Sequence, residues 1–424
     1  MNAFSWQSLV FALLFTSVFS AMQFYMWKRL VADAVHKAVW RRLLTALIVA
    51  MGLGTVVVMA VSRLAIAERA KMWTFLPLVW MGASLLFVFA LLFVDSARIL
   101  HFLFRRWRSR KDTTPAGEKK SAHDPDRRQF IRRLSAGTTA LAVVGASGVA
   151  VTGGLRKPTI IRQDIRLEKF PSSMSGLRVV QLSDLHIGLS LTQAWLTDVV
   201  ARVNALQPDI VVITGDLVDG AVAHLAEHIA PLAGLRATHG VFVVTGNHEY
   251  YSDVTTWLPH FSSLGLRVLR NERVRISHGD EFFYLVGVND YNAGRIIPEE
   301  APDLDRALHG AQDAAAVVLL AHQPREIENA RRHGVGLMLS GHTHGGQIWP
   351  FSLLVRLQQP FNKGWYRDAS GTQIYVNQGT GFWGPPMRLG TESEITLLTL
   401  MHADTSPAHG LASRAKPQCD LQTI

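Results

Sequence analysis

The sequence predicts an α/β domain on a mostly parallel sheet, preceded by an N-terminal transmembrane helical region. Three observations predict it. Long runs without a formal charge fill the first hundred residues. From Leu177 onward, short β-rich runs alternate with helical stretches. Those runs end in polar clusters spaced about one β-α-β unit apart.

Ser8–Trp27, Leu43–Val61 and Trp73–Val94 are the uncharged runs, each close to the ~20 residues that cross a bilayer. Soluble helices of that length would show a polar face, and these do not. Trp6, Trp27 and Trp73 stand near their ends, where an indole favours the interface. Hydrophobic residues form 48% of the 424 and charged residues 18%, and the apolar excess lies in the first 155. The net charge of +10 is equally local: residues 98–133 hold 12 Lys/Arg against 4 Asp/Glu. Such a run beside an apolar span reads as a topology determinant, so no nucleic-acid partner is expected.

Lys28, Arg29, Lys37, Arg41 and Arg42 fill the loop between the first two spans. By the positive-inside rule this loop and residues 98–133 face the cytoplasm, which places the N-terminus outside. Residues 1–97 thus read as three transmembrane helices and 98–133 as a basic cytoplasmic linker. Arg127-Arg128-Gln129-Phe130-Ile131-Arg132 opens a Gly/Ala/Thr-rich stretch, so 134–155 reads as a twin-arginine-like export signal or a fourth membrane helix. Asp126 stands where such signals commonly carry Ser or Thr, and a cleavage site near Ala150 is conceivable. Either reading puts residues 156–402, the α/β domain, on the periplasmic or outer face of an inner (cytoplasmic) membrane. Residues 403–424 are expected to be a disordered tail.

Leu177–Leu182, Ile210–Thr214 and Val241–Thr245 read as buried parallel strands, with helices at Leu191–Leu206 and Ala221–Leu235 between them. Phe282–Val288, Ala316–Leu320, Gln373–Val376 and Ile395–Leu400 supply further strands. The first three end in Ser183-Asp184-Leu185-His186, Gly215-Asp216-Leu217-Val218-Asp219 and Gly246-Asn247-His248-Glu249. Ala321-His322-Gln323-Pro324 and Gly341-His342-Thr343-His344-Gly345-Gly346 follow two later runs. Carboxyl ends of neighbouring strands converge on one crevice, so clusters distant in sequence become neighbours in space.

What gathers there is Asp, His, Asp, Asn and three more His. The single cysteine, Cys419, excludes disulfides and thiolate metal sites. Nitrogen and oxygen donors suit Mn²⁺, with Fe or Zn²⁺ as alternatives, better than Ca²⁺. Seven donors on five loops are enough for two divalent ions sharing a carboxylate.

The ordered set Asp-x-His, Gly-Asp-x-x-Asp, Gly-Asn-His-Glu, a lone His and Gly-His-x-His resembles the calcineurin-like metallophosphoesterase superfamily over residues 175–400, in particular its bacterial membrane-attached or twin-arginine-exported branch. The resemblance implies a four-layer α/β/β/α sandwich. It implies that Asp184, His186, Asp216 and His344 hold one metal, that Asp216 bridges, and that Asn247, His322 and His342 hold the second. The expected chemistry is hydrolysis of a phosphodiester or pyrophosphate, on a lipid-linked substrate in one version, by a hydroxide activated between two metals. His248 would then stabilise the transition state or protonate the leaving group, while Asp219 and Glu249 orient ligands from behind. The alternative is a non-catalytic membrane-anchored module with a structural metal site.

Three further features compete for attention. His224-Leu225-Ala226-Glu227-His228 matches an inverted zincin pattern but sits mid-helix and reads as a solvated face. His278 and His333 belong to no motif. Trp349, Phe351, Trp365, Phe382 and Trp383 either pack against the sandwich or form an apolar rim that meets a lipid or the membrane.

Overall fold

The computed structural model describes residues 6–61, 71–111, 125–188, 190–312 and 315–403. The N-terminal region is helical. Helices α1 (Trp6–Trp27), α2 (Ala38–Val61), α3 (Lys71–Lys111) and α4 (Pro125–Gly154) pack together. Among the described residues, three stretches are long and apolar enough to cross a membrane: Ala38–Ala60, Trp73–Arg108 and Gln129–Gly154.

Several of their polar groups pair across helices, as a low-dielectric setting favours. Gln23 donates to Ser84 (2.9 Å) and accepts from the Trp80 indole (3.0 Å). Pro77 interrupts α3, and the Thr55 hydroxyl donates to its carbonyl at 2.9 Å. At the other end of the span, Asp95 pairs with Arg29 and accepts from Tyr25 at 2.8 Å.

The basic stretch differs from the linker expected for 98–133. Residues 98–111 continue α3, and 125–133 already belong to α4. Apolar residues such as Ile99 and Phe102 carry the helix past Arg98. The part between 111 and 125, like the tail expected beyond residue 403, lies outside the described residues.

In the remaining chain, β1 (Thr159–Leu167), β2 (Leu177–Leu182), α5 (Gln193–Ala205), β3 (Ile210–Thr214), α6 (Val222–Ile229) and β4 (Val241–Val244) come first. They are followed by α7 (Asn247–Tyr251), α8 (Val254–Ser263), β5 (Arg267–Val268), β6 (Glu272–His278) and β7 (Glu281–Gly287). The chain closes with α9 (Leu304–Leu308), β8 (Val317–Leu320), α10 (Ile327–Arg332), β9 (Leu337–Ser340), α11 (Ser352–Val355), β10 (Gly364–Arg367), β11 (Gln373–Val376) and β12 (Glu394–His402).

The strands form two six-stranded sheets, ordered β1-β12-β2-β3-β4-β5 and β10-β11-β9-β8-β7-β6. Period-two alternation explains the layering. Val179, Ile210 and Val212 face a core shared with Leu285, Val318 and Leu339 of the other sheet. Val180, Val211 and Ile213 face the opposite way, onto Leu196 and Val199 of α5 and Leu225 of α6. On the far side, Val286, Leu319 and Met338 pack against α9 and α10 through Leu304, Ala307 and Ile327. The result is the expected α/β/β/α sandwich.

Sequence periodicity does not announce β1, β6 or β10. All three are edge strands whose residues are largely exposed.

Candidate metal centre

Five strand ends meet at one edge of the two sheets. Asp184 and His186 follow β2, Asp216 and Asp219 follow β3, and Asn247 to Glu249 open α7 after β4. His322 follows β8, and His342 and His344 follow β9, so the second sheet contributes three imidazoles while the first contributes the carboxylates together with His186 and His248. Asp184, His186, Asp216, His342 and His344 all have φ between 45° and 70°. Non-glycine residues there store of order 1–3 kcal/mol each and persist where surrounding structure over-determines them. Five of the nine such residues among those described lie at this one edge.

Glycines make the convergence sterically feasible at two positions. A Cβ at Gly246 would lie 2.1 Å from Asp216 Oδ1, and one at Gly341 would lie 1.9 Å from Ser183 Oγ. Backbone bonds tie the loops to one another: Asp184 N donates to Gly215 O (3.0 Å), His186 N to Asp216 O (3.1 Å) and Gly341 N to His322 O (2.9 Å).

The structure brings six of the seven expected donors within a few ångströms of one another, and the seventh, Asn247, follows β4 on the neighbouring loop. His344 Nε2 lies 3.3 Å from Asp184 Oδ1 and 3.1 Å from His186 Nε2. Asp216 Oδ2 is 3.8 Å from His186 Nε2 on one side and 3.1 Å from His322 Nε2 on the other. His342 Nδ1 is 3.2 Å from His322 Nε2. Three overlapping groups are therefore compact enough to hold a cation: Asp184, His186 and His344; His186, Asp216 and His248; Asp216, His322 and His342.

Outer partners fix which nitrogen faces inward. His322 Nδ1 meets the Thr214 carbonyl at 2.7 Å, and His186 Nδ1 meets Asp219 at 3.1 Å. Each Nδ1 therefore carries its proton, leaving an Nε2 lone pair aimed into the centre. Asn247 Oδ1 is buried without a hydrogen-bond partner.

Asp219 does more than turn one ring. Its carboxylate meets His186 Nδ1 and also His248 Nδ1, the latter at 2.5 Å. Burial would lower the His248 pKa, but the Asp216 and Asp219 carboxylates outweigh it and raise it to about 9. Asp219, although desolvated, is held below the usual carboxylate range by His186 and His248. Glu249 reaches Asp216 through the backbone. It touches no donor side chain, and instead accepts the backbone N–H groups of Asp216 (3.0 Å), Leu217 (2.7 Å) and Gly246 (2.6 Å). Burial and the Asp216 charge push it up to about 7, opposed by those N–H bonds.

Arg388 was not foreseen. It is 2% exposed, and its guanidinium donates to the carbonyls of Gly381 (2.6 Å), Gln378 (2.8 Å) and Glu392 (3.1 Å), beside His344 Nδ1 at 3.5 Å. Nothing in Pro385-Pro386-Met387-Arg388 marks it in the sequence, because its partners are backbone atoms assembled by folding.

The rival motif lies away from this edge and is half-buried instead of fully solvated. His224 and His228 lie on α6, and neither joins a metal-competent group among the described residues. Of the five aromatics, Phe382 is buried, whereas Trp349, Phe351, Trp365 and Trp383 stay exposed. Trp383 stands edge-on to His248, ring centroids 5.9 Å apart.

Two stacked sheets whose strand ends converge carboxylates and inward-facing imidazoles define a class of metal-binding α/β/β/α sandwich proteins. Residues 177–346 match the family described as calcineurin-like phosphoesterase, and the chain belongs to that family. It is 32% identical over 409 residues to a Danio rerio protein named transmembrane protein with metallophosphoesterase domain, covering 93% of this chain and 89% of that one. A Bos taurus protein of the same name is 40% identical over 276 residues, covering 63% and 61%. An uncharacterized metallophosphoesterase of Helicobacter pylori (strain ATCC 700392 / 26695) is 40% identical over 262 residues, covering 62% and 69%.

Proposed function

We propose that the chain is a membrane-anchored phosphoester hydrolase whose domain at 156–402 works with two divalent metal ions, Mn²⁺ first among the candidates. One observation carries this reading: imidazole nitrogens and carboxylate oxygens crowd into three overlapping groups compact enough for a cation, with the carboxylates oriented by backbone N–H groups, His342 N on Asp184 and His248 N on Asp216. His186 Nε2 lies 3.9 Å from Asp184 Oδ1 and 3.8 Å from Asp216 Oδ2, His322 Nε2 lies 3.1 Å from Asp216 Oδ2, and Asn247 Oδ1, on the loop after β4, is buried without a partner. Such a set is costly unless a cation fills it, so the residues fit the metals that the family implies.

Asp184, His186, Asp216 and His344 would hold one ion. Asn247, His322 and His342, with Asp216 shared, would hold the other. When bound, the pair supplies Lewis-acid charge that makes water nucleophilic near neutral pH and draws electron density from phosphorus. The protein's own groups do the remaining work. His248, partly open to solvent at 16% and protonated through Asp219, presents Nε2–H to the substrate side. From there it can neutralise a phosphoryl oxygen or pass a proton to the leaving group. Asp219 fixes both rings, and Glu249 fixes the backbone that carries Asp216.

Phosphodiester or pyrophosphate bonds on a lipid-linked molecule are the substrate class we favour, because exposed Trp383 adjoins His248. The ends of α3 and α4 remote from the α/β domain are basic, which supports a multi-pass protein of the inner membrane with its sandwich on the outer face. The Arg-Arg-Gln-Phe-Ile-Arg segment forms part of the first turns of α4, and Ala150 O of that helix accepts from Arg388 N at 2.8 Å. That contact favours retention of a fourth membrane helix over a twin-arginine signal cleaved near Ala150.

Purified protein assayed on bis-p-nitrophenyl phosphate with Mn²⁺ tests the reaction. Turnover lost in Asp216→Ala supports it. No turnover in the wild type, with metal bound and the fold intact, would instead favour the structural-site alternative.

A further inference from the structure

The α/β domain meets α3 at an unexpected depth. Met387, Pro385 and Ile348 surround Gly82: a Cβ there would lie 2.5 Å from Met387 Sδ, 3.0 Å from Pro385 Cβ and 3.2 Å from Ile348 Cδ1. Met81 likewise reaches Gly384, the neighbour of Trp383. Asp95, paired with Arg29 and Tyr25, marks where α3 leaves the apolar layer on the far side. Gly82 is thirteen residues back from it, ~20 Å along a helix rising ~1.5 Å per residue. A hydrocarbon layer of ~30 Å then continues ~10 Å beyond Gly82 before its outer boundary. Ile348 and Met387 also share a buried cluster with Leu86, Phe87 and Val143 of α3 and α4.

A ridge runs on from Ile348. Trp349, Phe351, Leu353, Leu354 and Leu357 are 59%, 39%, 56%, 44% and 82% exposed. So many large apolar side chains exposed on one short segment, continuous with the buried contact to α3, need a partner.

The backbone of the ridge is built for an apolar one. Trp349 N donates to Leu389 O (2.8 Å), Phe351 N to Ile348 O (2.8 Å), Leu353 N to Pro350 O (3.0 Å), Leu354 N to Phe351 O (2.9 Å) and Leu357 N to Leu354 O (3.1 Å). Irregular backbone tolerates hydrocarbon only when its polar groups are satisfied internally in this way. Arg356, exposed on the same turn, is long enough to reach lipid phosphates from that depth.

We propose that the ridge Trp349–Leu357 is sunk among the acyl chains of the outer leaflet, so that the crevice holding His248 and His344 opens at headgroup level. This rests on reading α2 to α4 as membrane spans, and it adds that the sandwich itself enters the bilayer beside its catalytic edge. A phosphate ester on a bilayer lipid would then reach the centre without leaving the membrane.

Site-specific fluorescence in the full chain tests it. Cys419 is the sole cysteine, so a Cys419→Ser background accepts a single environment-sensitive label at Leu357→Cys or, separately, at Leu354→Cys. His278→Cys, exposed on the β6–β7 hairpin, is the aqueous reference. In phosphatidylglycerol/phosphatidylethanolamine vesicles, both ridge labels should be blue-shifted. Brominated acyl chains should quench them at least threefold more than the reference, and iodide correspondingly less. Iodide quenching of both ridge labels equal to that at residue 278 would overturn the proposal. Neither readout needs turnover, so a failed phosphoesterase assignment would leave it standing, and the reverse.

Discussion

Gly246→Ala isolates how tightly the two halves of the centre are fitted. Gly246 sits at φ −99°, ψ −175°, an extended conformation open to alanine. Its lack of a side chain therefore answers a steric demand and no backbone one. The added Cβ would lie 2.1 Å from Asp216 Oδ1, 2.8 Å from its Cγ and 2.6 Å from its backbone nitrogen. Contact at ordinary van der Waals distance requires the carboxylate to retreat by more than ~1 Å. Ligand positions in metal sites tolerate ~0.2 Å, and a misplacement near 1 Å costs ~10²-fold in rate. Asp216 Oδ2 stands between His186 and His322, so both donor sets are disturbed at once. Isothermal titration with Mn²⁺ should show affinity weakened by ~10- to 100-fold, and kcat/KM on bis-p-nitrophenyl phosphate should fall by at least ~10²-fold. Thermal denaturation should register overpacking of ~1–3 kcal/mol. Gly234→Ala, where the nearest neighbour is Val200 Cγ1 at 3.5 Å, should leave all three unchanged. A Gly246→Ala protein with wild-type metal affinity and kcat/KM would refute the convergence argument.

Asp219→Asn keeps the shape but offers an amide N–H to one of two imidazole N–H groups, so one ring loses its acceptor. Metal affinity or kcat should fall by ~10- to 100-fold. The change also removes a carboxylate that raises the His248 pKa of about 9, so the basic limb of the kcat–pH profile should move to lower pH. Glu249→Gln leaves one of three buried N–H groups facing an amide N–H; a loss of ~1–3 kcal/mol is expected by chemical denaturation, with metal affinity affected less. Chelation with EDTA should abolish turnover while the far-ultraviolet circular dichroism stays unchanged, because backbone bonds and not metal tie the loops together. Unfolding on chelation would point to a structural metal.

How much of this was legible beforehand follows from where each signal lies. Leu177–Leu182, Ile210–Thr214 and Gln373–Val376 were readable to the residue because strands buried on both faces leave mostly apolar runs. Each donor was readable because it sits one to four residues past such a run. The partition into two sheets was not: nothing local to β8 or β9 says that they pair with β7 and β11 instead of extending the first sheet. Neither was β1, whose pairing with β12 spans over two hundred residues and whose Arg and Gln side chains hide its alternation. Glu249 was flagged as a ligand-orienting group, yet its three acceptor contacts are to backbone, which only coordinates reveal. Arg388 gave no signal for the same reason.

The junction with the helices is more than a tether, and Gly154 tests why. A Cβ there would lie 2.6 Å from the carbonyl carbon and oxygen of Pro386 and 2.7 Å from Met387 N, while one at the adjoining Gly153 would lie 2.6 Å from Arg388 O. Those atoms are backbone on the loop side and helix on the other, so neither can yield by turning a side chain. Two residues beyond Pro386, the Arg388 guanidinium gathers the carbonyls of Gln378, Gly379 and Gly381 beside His344. A shift of this loop therefore reaches the centre through a fully buried group, which cannot re-pair with water. Gly154→Ala alters no donor, yet it should weaken Mn²⁺ binding by roughly threefold to tenfold, about 0.7–1.4 kcal/mol, and lower the melting temperature measurably. Gly148→Ala on the same helix, with nothing within 4 Å of the new Cβ, should do neither. If Gly154→Ala lowered the melting temperature and left metal affinity untouched, the loop would have to relax without moving Arg388, and the membrane helix would serve only to hold the domain in place.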